Sequence, residues 1–280
     1  MKLFLFFVFF VFCISTSTGQ TVTGKVVDIS TSEPLAYVNI GVIGQPRGTI
    51  TDETGNFELE INNLSVEATV RFSMIGYIAQ TYTIKELSDN NGRKIELKSA
   101  PISLSEVVIK PGKLRKIGVT KRRFTSSSGW GGNNFRKDGY GKGYEIGMKM
   151  ELGESPVHVK SLHIHFYRQT FDSCLLRLHV RNIVNDLPGE ELLNQNIYIT
   201  VAKTSGWVEF DLSKYYLVFQ GNIILSVEWV SDKGTKGEKL PFSPVIFFSL
   251  SRNGSKYNRM GSEAQWKQSE GSLGFYLTVK

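Results

Sequence analysis

Two histidines spaced for metal binding are the first residues of this sequence whose types and positions could support chemistry. His163 and His165 are two apart, so on a strand both side chains point to the same side. A metal site would also need a carboxylate a few residues later and a further histidine. Neither is at a fitting place, and His179 is the only later histidine. We therefore predict no metal site and interpret the pair as the polar side of a strand.

Motifs of the common hydrolases and nucleotide-binding enzymes are missing as well. No histidine is followed by glutamate three positions later, which excludes the zinc carboxypeptidase pattern, and the zincin motif does not occur. Residues 153–157 fail the last position of a Gly-x-Ser-x-Gly nucleophile turn. Phosphate loops and dinucleotide fingerprints are absent. The sequence predicts no enzyme and no cofactor, although a glycosidase-type carboxylate pair has no sequence signature and leaves a hydrolase as the least favoured hypothesis.

Aromatic residues in or near loops or polar stretches indicate a different activity, the binding of carbohydrate. Tyr257 and Trp266 could offer ring faces to sugar C–H groups, with Asn258 and Arg259 beside them for the hydroxyls. These four residues are the predicted ligand-binding site. Other aromatic residues lie in similar stretches: Trp130, Tyr140, Tyr144, Tyr215 and Tyr216. The alternative is that such rings belong to a hydrophobic core, as we expect for Trp207 and Trp229, which lie within strands.

Composition and charge narrow the class of protein. The chain has 280 residues, of which 41% are hydrophobic and 12% aromatic, with 27 glycines, which favours a globular β-rich protein. The net charge of +7 is concentrated in residues 107–137, which hold nine basic and no acidic residues. This Pro-, Gly- and Ser-containing segment is either a solvated linker or an electrostatic tether to an anionic partner. Nucleic acid is not expected, because no stacking-plus-basic module is present.

The N-terminus has the features of a secretory signal peptide. Lys2 is followed by an apolar run from Leu3 to Ile14, too short to span a bilayer, and then by small and polar residues. We predict cleavage between Gly19 and Gln20. Cys13 lacks the neighbours that lipid attachment usually needs. An exported chain with Cys174 as its remaining cysteine cannot form an internal disulfide and must be stabilised by core burial.

Residues 20–110 alternate short β-rich runs with turn signals and contain no convincing helix. Residues 57–61 alternate strictly between apolar and acidic side chains, as expected for a half-buried strand. Asp52 and Gly55 are predicted to set up a hairpin turn, since the carboxylate can accept backbone N–H groups and glycine can take a positive φ. Gly76 is predicted to relieve the backbone between two strands. About seven strands in this length, one of them at 78–84, indicate a small β-sandwich.

Several motifs in this region occur in the order and spacing of a known family. They are residues 23–28 (TGKVVD), 33–35 (EPL), 38–40 (VNI), 48–57 (GTITDETGNF) and 72–77 (FSMIGY). The region resembles the carboxypeptidase regulatory-like domain, which is common at the N-termini of exported Bacteroidota proteins. The resemblance implies a transthyretin-like β-sandwich that has no catalysis of its own and is an accessory to other modules. Some members with this domain are outer-membrane transporters, but the rest of this chain is too short for their barrel.

The sequence from residue 138 onward continues as about eight strands, with separate strands at 157–168 and 175–181. For these strands we expect a jelly-roll-like or Greek-key β-sandwich. The predicted organisation is a signal peptide at 1–19, the regulatory-like β-sandwich at 20–110, a basic Gly/Ser-rich linker at 111–137 and a C-terminal β-sandwich at 138–280. The fold class is therefore all-β.

The function these features favour is that of an exported, non-catalytic envelope protein that acts as an interaction or assembly module. The alternative is a carbohydrate-binding protein. The expected partner is an envelope protein or a polysaccharide, with no integral membrane segment after signal removal. Periplasmic, outer-membrane-surface and extracellular locations, and the oligomeric state, stay open.

Overall fold

The computed structural model describes residues 20–90, 92–100, 112–120, 124–131, 142–233 and 245–280. The predicted signal peptide, Cys13, Tyr140 and the end of the first predicted domain at 101–110 lie outside the described residues. Within them almost every regular element is a strand, which confirms the all-β fold class. No helix in the described ranges is long and apolar enough to cross a membrane.

The first domain consists of two four-stranded sheets facing each other across a hydrophobic core. Its strands are β1 (Thr21–Asp28), β2 (Asn39–Val42), β3 (Gly48–Ile50), β4 (Asn56–Glu60), β5 (Thr69–Ser73), β6 (Tyr77–Ile78), β7 (Gln80–Thr83) and β8 (Arg93–Ser99). One sheet has the order β4-β1-β8-β6 and the other β3-β2-β5-β7. The rings of Phe57 on β4 and Phe72 on β5 meet edge to face at 5.3 Å, so they join the two sheets.

A short helix interrupts the strands of this domain, contrary to the prediction of none. Helix α1 (Ile84–Asp89) follows β7 directly. The Thr83 hydroxyl accepts the Glu86 N–H, and the Glu86 carboxylate accepts the Thr83 N–H, so a capping box closes the first turn. Ile84 and Leu87 are buried against the core. The residues from 78 to 84, which the pattern predicts as one strand, are therefore divided between strands and a helix.

The turn before β4 is closed by a side chain. Asp52 accepts hydrogen bonds from the backbone N–H groups of Thr54 and Asn56, both at 2.9 Å. These bonds hold the pKa of the Asp52 carboxyl below its ordinary value, although partial burial acts in the opposite direction. Gly55 and Gly76 have φ values of 79° and 88°, the left-handed region in which glycine carries no steric penalty.

The second domain is built from eleven described strands. They are β9 (Arg115–Gly118), β10 (Ser126–Gly131), β11 (Tyr144–Glu151), β12 (Val157–Val184), β13 (Leu187–Glu191), β14 (Ile197–Asp211), β15 (Val218–Phe219), β16 (Asn222–Lys233), β17 (Val245–Met260), β18 (Lys267–Leu273) and β19 (Phe275–Val279). The main order is β10-β17-β11-β16-β12-β19-β9. A 3₁₀ turn, Ser213–Tyr215, follows β14.

The long strands β12 and β17 wrap the second domain around its core. β12 pairs with β16 over its C-terminal half and with β19 over its N-terminal part, and it also pairs with β17 between them. The pairings β17–β11–β16–β12–β17 therefore form a closed circuit, which requires β12 to bend at its register shifts. The residues from 157 to 181, predicted as two strands, are one strand that contributes to both sides of the core.

The described part of the basic segment belongs to the second domain. β9 pairs with β19, and β10 pairs with β17, so the segment supplies the strands at both ends of the main sheet order. Trp130 on β10 is 4% exposed and stacks on Trp229 with ring centroids 6.2 Å apart. This arrangement differs from the predicted linker at 111–137 and from the loop position expected for Trp130, because main-chain pairing and ring burial hold the segment on the sandwich.

Candidate functional site

A cluster of charged side chains lies in the second domain where that domain meets the first. We call these seven ionisable residues the charged centre. Its members are Glu145 on β11, Arg177, His179 and Arg181 on β12, Glu191 on β13, Glu228 on β16 and Arg259 on β17. Arg177, Glu145 and Glu228 are fully buried. Buried charges are costly unless they are paired and hydrogen-bonded, so their partners decide what the cluster can do.

The register of the strands places opposite charges next to each other. Arg177 lies opposite Glu228 in the β12–β16 pair. Glu145 lies opposite Glu228 across β11–β16 and opposite Arg259 across β11–β17. Directly opposed residues of neighbouring strands have side chains within contact distance. The four strands therefore bring two carboxylates and two guanidinium groups to one place.

A tight hairpin adds the remaining carboxylate. Arg181 lies opposite Glu191 in the pairing of β12 with β13. The two strands are joined by Asn185 and Asp186, whose φ values of 51° and 61° are those of a two-residue type I′ turn. The sequence Asn-Asp tolerates this left-handed conformation better than most residues do. The turn thus fixes the register that carries Glu191 to the centre.

Arg177 connects the charged centre to the first domain. Its Nε donates to Glu228 Oε2 at 2.8 Å. Its Nη1 donates to the Tyr37 carbonyl at 2.9 Å and to Asn196 Oδ1 at 3.2 Å, and its Nη2 donates to Asn39 Oδ1 at 2.7 Å. Tyr37 and Asn39 belong to the first domain. One guanidinium group therefore makes an ion pair inside the second domain and two hydrogen bonds across the boundary.

His179 lies between two carboxylates, which favour its charged form. Its Nδ1 is 2.6 Å from Glu191 Oε2, and its Nε2 is 2.9 Å from Glu228 Oε2. Ionised carboxylates only accept hydrogen bonds, so both ring nitrogens must donate, as they do in an imidazolium. Burial disfavours this charge, but the attraction of Glu145 and Glu191 outweighs burial and raises the pKa of His179.

The carboxylates of the centre stay ionised because cations surround them. Arg181 and Arg259 both donate to Glu145, at 3.2 and 2.6 Å, and the Ser226 hydroxyl donates to the same carboxylate. Burial alone would raise the pKa of Glu145, but Arg181, His179 and Arg259 hold it well below its ordinary value. Arg177 and His179 likewise overcome burial and lower the pKa of Glu228 to about 2.

This arrangement suits a structural joint better than proton transfer. A general acid or base works best with a pKa near the operating pH, and the buried carboxylates are shifted away from it. In the part of the chain that the structure describes, no group of three or more His, Cys, Asp or Glu residues could hold a metal ion. What the geometry does provide is a dense set of directional bonds between strands and between domains.

Other contacts join the domains around the centre. Arg71 on β5 forms a salt bridge with Glu263 at 3.3 Å, and the Glu263 carbonyl accepts the Gly44 N–H at 3.0 Å. Asn196 donates to the Ile75 carbonyl at 3.1 Å. A groove of about 820 Å³ runs between the domains beside these contacts, in the size range of small-molecule sites. Both domains line it, with charged side chains that include Arg71, Glu190 and Glu263.

The predicted ligand-binding residues are only partly brought together. Arg259 is a member of the charged centre, and its guanidinium lies 4.8 Å from the centre of the half-buried Trp266 ring. Asn258 is half-buried inside β17, where it lies opposite Lys267. Tyr257 also lies within β17 and is 3% exposed, so its ring is not available to a ligand. The loop position expected for Tyr257 is corrected by its place in a paired strand.

Sequence reasoning missed most of the charged centre. Residues 176–181 alternate apolar and charged side chains, which is the pattern of a strand with one side in solvent. The first domain covers that side instead. The available signal was the density of charge on a single strand face, with Arg177, His179 and Arg181 two residues apart.

Comparison with known proteins identifies the first domain. Residues 22–109 match the model of the CarboxypepD_reg-like domain, in agreement with the motifs in the sequence. No curated protein matches the chain. Among solved structures, the structure of infectious bursal disease virus Gt strain matches at 10% sequence identity with a TM-score of 0.24. The match covers 92% of this chain, which spans 62% of the viral chain.

Proposed function

We propose that this protein is an exported, non-catalytic protein of the Bacteroidota cell envelope that acts as an interaction or assembly module. In this proposal the CarboxypepD_reg-like domain and the C-terminal sandwich work as one unit. A partner protein binds the composite surface that the two domains form. Side chains of both domains line the groove between them.

The observation that carries the proposal is the position of Arg177. Its bonds to Tyr37 and Asn39 tie the first domain to a buried ionic cluster in the second. Because breaking them would leave buried charge without partners, the joint resists rotation of one domain against the other. A fixed relative orientation is useful for presenting a composite binding surface, since a partner then binds without an ordering cost.

The burial of Cys174, a potential nucleophile, also supports a non-catalytic role. Cys174 is fully buried on β12, and burial raises the pKa of its thiol. A protonated, inaccessible thiol is a poor nucleophile. The CarboxypepD_reg-like domain is itself of a regulatory, non-catalytic type.

Location is the first part of the proposal to test. The native cells are fractionated, and the N-terminus of the recovered protein is sequenced. We expect the protein in the envelope or the medium, with Gln20 as its first residue. Recovery of the chain from the cytoplasm with residues 1–19 intact would contradict export.

The partner is tested by photo-cross-linking in intact cells. A photoreactive amino acid replaces Glu190, an exposed residue on the groove, and in a matched control it replaces Glu270, an exposed residue on β18. We expect one defined protein adduct from position 190 that is missing from position 270. Equal labelling from both positions, or no adduct from either, would contradict a partner at the groove.

Carbohydrate binding is the second candidate function, and a different surface favours it. We use the name aromatic face for the side of β12, β14 and β19 that points away from the core of the second domain. Its rings are His158, His163, His165, Trp207, Tyr216 and Tyr276. Rings beside polar groups on an open sheet surface are the arrangement that sugars recognise. The experiment for this candidate is described with the inference below.

A further inference from the structure

The aromatic face is assembled by strand register. His163 lies opposite Glu209 on β14 and opposite Tyr276 on β19, and His165 lies opposite Trp207. The intervening residues of β12 point into the core, as the period of two requires. The register thus places these rings on the same outer side of three neighbouring strands.

The rings pack against one another, and their exposure differs along the face. His163 and Tyr276 are each 8% exposed, whereas His158, His165 and Trp207 are half-buried. His163 stacks on Tyr276 with centroids 4.1 Å apart, and Tyr276 meets Trp207 at 4.9 Å. His165 meets Trp207 edge to face at 5.0 Å. Trp207, which the sequence predicts to be in the core, is only half-buried here. Mutual packing fixes the orientation of the rings, so a ligand would find them already in place.

One ring at the end of the face projects into solvent. Tyr216 is 78% exposed, and its ring lies 6.2 Å from that of His158 in a nearly parallel orientation. Its φ of 51° is left-handed, a conformation that glycine or asparagine adopts with less strain. A tyrosine at this position has a strained backbone and an exposed ring.

Lysines surround these rings. Lys116 on β9 lies 5.1 Å from the centre of the Tyr276 ring, and Lys160 lies 3.0 Å from His158 Nδ1. Lys280 exchanges backbone hydrogen bonds with His158, and Lys214 lies 5.0 Å from the ring of Tyr215. None of the four lysines forms a salt bridge with a carboxylate of the described ranges.

The positive charge exceeds the negative charge on this surface. Across the described residues of the face, two carboxylates stand against the four lysines. Glu209 lies 3.5 Å from His163 Nε2, and Asp211 accepts hydrogen bonds from Ser213. Burial first, and nearby lysines in addition, lower the pKa of His158 and of His163, although Glu209 partly opposes this at His163. Both shifts favour the neutral forms of His158 and His163, so the lysines supply the excess charge.

We propose that the aromatic face binds an acidic polysaccharide. Its accessible rings, Tyr216 and Trp207, contact sugar C–H surfaces. Lys116, Lys160 and Lys280 pair with the carboxylates of the polysaccharide. The inference rests on the second candidate function and names its site and its ligand class. An anionic ligand matches the excess of lysines, whereas a neutral glycan would leave them without a role. The basic segment contributes through β9, which places Lys116 beside Tyr276.

The test is affinity electrophoresis of residues 20–280, which contain every described element of the fold. Gels contain polygalacturonate, alginate or the neutral glucan laminarin, at low and at high salt. We expect retardation by the acidic polysaccharides, weakened at high salt by screening of the lysines. The double variant Lys116→Gln/Lys280→Gln should bind roughly 2- to 30-fold more weakly, from the contribution of two exposed ion pairs. The variant Tyr216→Ala should lose roughly 2- to 10-fold, and Tyr216→Phe should restore binding.

The controls separate this inference from the function on which it rests. The double variant Lys85→Gln/Lys98→Gln removes two exposed charges from the first domain and should bind like the unaltered chain. Retardation by laminarin without any lysine effect would leave carbohydrate binding standing and overturn the acidic ligand. Acidic retardation that the aromatic-face variants do not change would overturn this site. No retardation by any polysaccharide would overturn both the site and the second candidate function.

Discussion

Strand β12 carries two polar stretches that the same sequence pattern produces and that have opposite surroundings. In its N-terminal half, His163 and His165 alternate with core residues and belong to the open aromatic face. In its C-terminal half, Arg177, His179 and Arg181 alternate with core residues in the same way. The first domain covers this second stretch, and its charges are paired with buried carboxylates.

The difference shows what a polar strand face requires when another domain covers it. Under a second domain, a charge loses its water and must be given fixed partners, as Arg177 is by Glu228, Tyr37 and Asn39. On the aromatic face charged groups keep contact with water, so the four lysines there need no direct salt bridge to a carboxylate. The first arrangement is suited to holding domains together, and the second leaves unused charge for a ligand.

The largest expected effect comes from removing Arg177. Arg177→Ala removes the arginine that pairs with the buried Glu228 and leaves His179 as its remaining ion partner, so we expect a loss of about 3–5 kcal/mol in the free energy of unfolding. Urea titration followed by the fluorescence of the buried tryptophans measures it. Arg252→Ala, at an exposed arginine, is the matched control and should change stability by less than about 0.5 kcal/mol. A similar small change at Arg177 would show that the centre does not hold the fold.

The charged centre should also set how stability depends on pH. Glu228 has a folded pKa of about 2 against an ordinary 4.5, so its stabilisation is present above pH 4.5 and is lost as the pH falls toward 2. The pKa of His179 is raised above 6.5, so its stabilisation is present below that pH and is lost as the pH rises through the folded value.

We therefore expect the free energy of unfolding to fall on both sides of a maximum between these limits. On the acid side, protonation of Glu228 alone should lower the free energy of unfolding by an amount on the order of 3 kcal/mol. Urea titrations from about pH 3 to about pH 8.5 measure the curve. His179→Gln should flatten the decline above pH 6.5 and leave the acid side in place. If the free energy of unfolding still declined equally above pH 6.5 in that variant, another group would be responsible for the decline.

A smaller effect is expected at the domain boundary itself. Asn39→Ala removes the acceptor of the Arg177 Nη2 hydrogen bond at 2.7 Å and leaves a buried charged donor unsatisfied. The expected loss is about 1–3 kcal/mol. Calorimetry should also show the unfolding transitions of the two domains moving apart. Asn253→Ala, at an exposed position, should do neither, and a single unchanged transition in Asn39→Ala would mean that this bond does not couple the domains.

The sequence predicted the all-β class and the identity of the first domain because both depend on local patterns. The alternation of apolar and polar residues determines which side of a strand faces the core. The turn at Asp52 and Gly55 is determined by neighbouring residues. Helix α1 was missed although its signal was also local. Thr83 and Glu86 form the S/T-x-x-E capping pattern, but the β-branched residues around them favoured a strand.

The sites could not be predicted because they depend on contacts distant in the sequence. Alternation is the same for a face in water and for a face under another domain, so it could not distinguish His163 from His179. The basic segment looked like a linker by composition, yet β9 and β10 are held by hydrogen bonds to strands more than a hundred residues away. Trp207 was placed in the core because it lies in a strand, but the strand's parity puts it on the outer side.

The smallest expected effect compares two tyrosines with left-handed backbones, one from each region. Tyr37, with a φ of 64°, lies at the domain boundary, where its ring meets Tyr198 at 5.4 Å. Tyr216, with a φ of 51°, projects from the aromatic face. Glycine relieves the backbone strain at both positions, so the difference between the two variants reports what each ring contributes to folding.

We expect Tyr216→Gly to change the free energy of unfolding by less than about 1 kcal/mol, because relief of strain offsets the added chain entropy and an exposed ring loses little packing. Tyr37→Gly should be more destabilising than Tyr216→Gly by roughly 0.5–1.5 kcal/mol, which is the typical contribution of a packed aromatic pair. Urea titration of both variants under the same conditions gives the comparison. Equal losses would mean that the exposed ring of Tyr216 supports the fold, and a ligand would no longer be needed to explain why a tyrosine occupies that strained position.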